Sequence, residues 1–129
     1  MYVADYSHGL LRLDLATGDV TRLQDAPHST SLGIDGIVLH QNTIIGIQNG
    51  VAPARVMRYR LNPAGTAITH AEMIDRNSAI ADEPTIGTIA NGEFVYVANS
   101  QWEKHDGNGV LRAGTTLAKP VLLGIPLSK

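Results

Sequence analysis

The chain has no cysteine, which excludes disulfide staples and thiolate metal sites and leaves the redox compartment open. Charge is also scarce. Charged residues make up 17% of the chain and the formal net charge is -2, too weak a field to mark out nucleic acid or an anionic membrane as a partner. No apolar run reaches membrane-spanning length, and the opening stretch MYVADYSHG lacks the basic start and apolar core of a signal peptide. No segment keeps a helical period: Ser78 to Glu83 and Ala52 to Arg55 have room for a single turn, limited by Pro53 and Pro84. Neither nucleic acid nor a membrane is expected as a partner, and the localisation is unknown.

What the chain does have is apolar content. At 43% hydrophobic over 129 residues, it is long enough for one domain with one core and too apolar for disorder. The pattern is that of strands. Tyr2 to Tyr6 alternates, and Leu11, Leu13 and Leu15 share a face while Arg12 and Asp14 point to the other. Ser7-His8-Gly9 and Thr17-Gly18-Asp19 supply turns, the second leading into a strand at Asp19 to Leu23. Strands are then predicted at Ile37 to His40, Thr43 to Gln48, Arg55 to Leu61 and Thr66 to Ile74, with Asn62-Pro63-Ala64-Gly65 turning the chain before the last. A third round runs from Thr85 to Ala90 through Asn91-Gly92 into Glu93 to Asn99, followed by weaker strands at Gly109 to Arg112 and Val121 to Leu127.

These rounds repeat. Laid without gaps over Glu83 to Ser100, Gly33 to Gly50 puts Leu39 on Ile89, Ile45 on Val95, Ile47 on Val97 and Asn49 on Asn99. Similarly, Leu11 to Leu15 falls on Met57 to Leu61. A period of about 45 to 50 residues holding four strands is the signature of a propeller blade. The predicted fold is therefore all-β, a partial β-propeller of about three four-stranded blades, with an incomplete blade at 1–31 and further blades at 32–78 and 79–129 of a single domain. A two-sheet sandwich of ten or so strands is the competing architecture. Three blades do not close a ring of the usual 4 to 8. Tyr2 to Tyr6 corresponds to the second strand of its blade, so the chain is expected to be a fragment with open blade edges that favour a homodimer or aggregation.

The run Tyr2-Val3-Ala4-Asp5 through Leu13-Asp14-Leu15-Ala16-Thr17-Gly18, and Gly33-Ile34-Asp35-Gly36-Ile37 followed by Arg55-Val56-Met57-Arg58-Tyr59, resemble the gluconolactonase and regucalcin (senescence marker protein) family. The resemblance covers residues 2 to 100, with Ile34 standing where the family usually has proline. It implies the C-terminal half of a six-bladed propeller that holds calcium or zinc in its central channel and hydrolyses sugar lactones. By position it makes Asp35 both a metal ligand and the catalytic base. The family's other ligands, a glutamate and two asparagines, come from earlier blades; the second asparagine would lie upstream of Met1. One carboxylate does not hold a hard cation that takes six to eight oxygens, so this chain alone is expected to bind none and to be inactive.

Each candidate also has a plainer reading. Asp35, with Gly33 before it and Gly36 after it, is otherwise a turn aspartate bonded to its own backbone. Glu83, Asn49 and Asn99 are the further oxygen donors considered for a metal; plainly read, Glu83 is a solvated loop charge and the asparagines are strand terminators. The five histidines show no metal-ligand spacing, and no nucleophile elbow is present. Trp102 either lines the mouth of a sugar-sized pocket or caps the packing between blades, and His105 to Gly109 reads as a hairpin turn. Two functions remain open: a fragment of a cation-dependent lactone or ester hydrolase, and a non-catalytic propeller scaffold or ligand-binding protein.

Overall fold

Alternating side chains and glycine turns build ten strands in the computed structural model, which describes residues 1–76 and 78–127. They form three separate antiparallel meanders, each in chain order. The first holds β1 (Tyr2–Asp5), β2 (Gly9–Leu13) and β3 (Val20–Arg22). The central sheet holds β4 (Ile34–His40), β5 (Thr43–Gln48), β6 (Arg55–Leu61) and β7 (Ile68–Arg76). The third holds β8 (Gly87–Ala90), β9 (Glu93–Val97) and β10 (Leu122–Pro126). Among the described residues there is no α-helix, only a 3-10 turn at Trp102–Lys104, and no sheet closes on itself. The protein is all-β.

Strand periodicity distributes the core over both faces of the central sheet. Ile44, Met57, Tyr59 and Leu61 point one way, onto Leu10 and Leu23 of the first sheet and the turn that leaves it. Ile45, Ile47 and Val56 point the other way, onto Phe94, Tyr96 and Ala98. The register agrees, since Ile44 stands opposite Tyr59 and Ile47 opposite Val56, and residues paired across an antiparallel ladder share a face. Between sheets, β1 lies against β4, and β4 against β8.

Polar side chains tie the first junction. Gln48 is fully buried and donates from Nε2 to the carbonyls of Thr30 (3.0 Å) and Leu32 (2.6 Å), while its Oε1 accepts from Arg55 Nε at 2.6 Å. Tyr59 donates its hydroxyl to the same Thr30 carbonyl at 3.1 Å. The strand-linking segment is thus held by the sheet it leads into.

Several strand limits differ from those read in the sequence. The last strand of the central sheet starts at Ile68 rather than Thr66, because Asn62 Oδ1 accepts the backbone N–H of Thr66 (2.8 Å) and Ala67 (3.3 Å) and keeps both in the turn. The strand expected at Gly109 to Arg112 does not form, so the third sheet has three strands rather than four. Asp106 Oδ1 accepts from Asn108 N and Val110 N at 2.9 Å each, which satisfies this loop locally, and Leu111 makes only an isolated bridge to His105. Trp102 is 66% exposed and does not cap the packing between sheets.

Candidate functional site

The site begins with an irregularity in β4. Ile34 pairs with Gln48 but Ile37 pairs with Gly46, so Asp35 and Gly36 share a bulge with one residue more than the partner strand. A bulge re-aims a side chain at a sheet edge, and here the carboxylate of Asp35 is exposed. The missing side chain of Gly36 lets the chain of the third sheet come close: a Cβ there would stand 2.8 Å from the Thr85 carbonyl oxygen and 2.9 Å from Ile86 Cα.

Asn49 follows β5 directly and reaches across this approach. Its Nδ2 donates to Asp35 Oδ2 at 3.1 Å and to the Pro84 carbonyl at 2.9 Å. Rotating the amide by half a turn would set its oxygen against two other oxygens, so the network fixes the orientation. Asn49 Oδ1 is consequently left buried with no hydrogen-bond partner.

Glu83 lies one residue before Pro84, in a left-handed conformation at φ 60°. Its backbone carbonyl accepts from Ser100 N (3.2 Å) and Ser100 Oγ (2.9 Å), while Asp82 N donates to the Ala98 carbonyl at 2.8 Å. This stitching fixes the segment beside the end of β9. Glu83 Oε2 is the second buried oxygen without a hydrogen-bond partner. Buried polar atoms are nearly always satisfied, so two such acceptors at one sheet junction call for a donor or a cation.

The sequence candidates divide here. Asp35, Asn49 and the Glu83-Pro84 segment come together through hydrogen bonds and the close approach at Gly36. Asn99 goes elsewhere: it is 7% exposed, its Oδ1 accepts from Val121 N at 2.7 Å and its Nδ2 donates to the Lys119 carbonyl at 2.9 Å. Gln101 Oε1 accepts from Ala118 N at 2.8 Å and Lys104 Nζ at 2.9 Å, so the two amides hold the returning chain. The sequence offers no signal for the part played by Gln101 and Gln48, since an amide after or within a strand reads equally as surface. The Pro84 carbonyl was missed for the same reason: backbone oxygens carry no residue signature.

Among the described residues no cluster of three or more His, Asp or Glu side chains is found. Asn49 meets Asp35 with its Nδ2, so the atoms here without a partner are Asn49 Oδ1 and Glu83 Oε2, an amide and a carboxylate oxygen of the kind a hard cation takes. Compared with protein-family models, with curated proteins and with solved structures, the chain matches none.

Proposed function

We propose that the chain is part of a six-bladed, gluconolactonase-like propeller in which Asp35, Asn49 and Glu83 contribute oxygen ligands to a calcium site. The observation that carries this reading is the pair of buried, unpartnered oxygens, Asn49 Oδ1 and Glu83 Oε2, in the junction where Asn49 is bonded to Asp35. The face-to-face packing of consecutive sheets in chain order, with β1 touching β4 and β4 touching β8, supports the reading of radial sheets.

When bound, the cation supplies Lewis-acid polarisation of a lactone or ester carbonyl. Asp35 is the residue exposed at the bulge, and its carboxylate accepts the proton of an attacking water as general base. Asn49 orients that carboxylate through its 3.1 Å hydrogen bond. Two carboxylates and one amide fall short of the six to eight oxygens calcium takes, so the isolated chain binds weakly and does not turn over substrate. A small-molecule, sugar-like lactone is the substrate class of the assembled site.

Calcium titration followed by thermal unfolding tests this directly. At about ten times its dissociation constant the ion adds about 1.4 kcal/mol to the wild type, and this gain shrinks in Asp35→Asn and in Glu83→Gln. A wild type whose melting temperature ignores calcium, or variants that respond as fully as the wild type, would remove the proposal.

A further inference from the structure

Both internal junctions obey one rule: the face of one sheet that looks forward along the chain covers the backward face of the next. Leu10 lies against Ile44 and Tyr59 at the first junction, and Ile45 and Ile47 lie against Phe94 and Tyr96 at the second. The sequence repeat carries this rule to the two faces left open. Leu11 and Leu13 correspond to Met57 and Tyr59, which face the preceding sheet; Val95 and Val97 correspond to Ile45 and Ile47, which face the following one.

The open faces are largely apolar, each with one charged residue in register, Arg22 opposite Leu11 and Glu93 on the face of Val95. On the first sheet Leu11 pairs with Val3 and Leu13 with Val20, so the four share one face, and Val20 is 61% exposed. On the third sheet Leu122 pairs with Val97 and is 64% exposed beside Ile86. These residues and Val95 line an open depression of about 250 Å³. Within one copy of this chain, the backward face of the first sheet and the forward face of the third are uncovered.

We infer that a second copy of this chain covers both: the third-sheet face of each copy (Val95, Val97, Leu122) receives the first-sheet face (Val3, Leu11, Leu13) of the other. Each contact continues the internal stacking, with aliphatic side chains meeting as they do at the two covered junctions. A head-to-tail contact closes or propagates according to its rotation. Two copies bring six sheets, within the 4 to 8 that close a ring, so the pair closes through two identical junctions. This closure rests on the radial reading of the sheets given above, but its test contains no metal, so the two proposals fail separately.

Sedimentation in EDTA, from low to about 100 µM chain, provides the test. The wild type is expected at twice the chain mass. Val97→Glu and Leu11→Lys each reduce it to the mass of one chain, with cooperative unfolding retained. A 1:1 mixture of the two variants restores the doubled mass, because one junction is then unaltered and the other brings Glu against Lys. Val20→Lys and Leu122→Glu, at more exposed positions, repeat the experiment if either first variant fails to fold. A wild type of single mass throughout, as when other sheets of a longer chain are the natural cover, overturns the inference. Survival of the pair in one variant alone, which marks contact between like faces, or species that grow beyond two copies, also overturns it.

Discussion

The central sheet and the sheets beside it are written in nearly the same strand pattern, yet they live in different surroundings. In β5, Ile44, Ile45 and Ile47 are all fully buried, because a neighbouring sheet covers each face. β2 and β9 also carry apolar side chains on both sides, but Leu10 and Phe94 are buried whereas Leu11 and Val95 are only half covered. A strand apolar on both faces is composed for burial on both faces. The difference lies in what stands next to the sheet, and the flanking sheets carry side chains suited to neighbours that a single copy of this chain does not provide.

Three changes would break or sharpen this contrast. The largest effect belongs to Tyr59→Ala, which empties the first junction and removes one of the two hydrogen bonds to the Thr30 carbonyl; it should cost about 3–5 kcal/mol, against less than about 0.5 kcal/mol for Leu122→Ala on the open face. Urea unfolding of the dissociated chain measures both, and similar losses at the two positions would end the distinction. Gly36→Ala comes next. Its methyl would press on the Thr85 carbonyl and Ile86 Cα and should cost about 1–3 kcal/mol, while Gly107→Ala, with open space around it, should change the unfolding midpoint little.

The smallest effect is a response to alkaline pH that both covered junctions should share. Burial raises the phenol pKa of Tyr59 and of Tyr96, and in Tyr96 the hydrogen bond to Asp75 at 2.7 Å raises it further. A folded pKa above the unfolded one means stability complete below the ordinary tyrosine value of about 10 and lost as pH rises past it. Each tyrosine should therefore subtract about 0.8 kcal/mol by pH 10.5, and Tyr96→Phe should flatten that decline. Denaturant curves at several pH values decide it, and an equally steep decline in the variant would exclude Tyr96 as a contributor.

How far the sequence reveals the fold depends on the range of the interactions. Thr43–Gln48 and Arg55–Leu61 are strands over the residues their alternation indicates, and Asn91-Gly92 turns with φ of 52° and 79° as the hairpin signal requires. Gly109 to Arg112 carries a weaker local signal, and among the described residues no strand pairs with it. In the candidate site, the glycines around Asp35 flag an unusual backbone, but the bulge depends on the register of β5. Asn49 and Asn99 occupy equivalent places in the repeat and have opposite fates: one meets Asp35 and Pro84, the other the returning chain at Lys119 and Val121.

The sequence by itself determined the all-β class, most of the strands and turns, and which strand positions are apolar, because these follow from side-chain alternation and backbone dihedral preference within a few residues. Tertiary structure alone decided which faces are covered, which asparagine joins Asp35 and which oxygens lack partners. Those outcomes depend on segments distant in sequence meeting across a junction, where packing and hydrogen-bond geometry select among side chains that look alike along the chain.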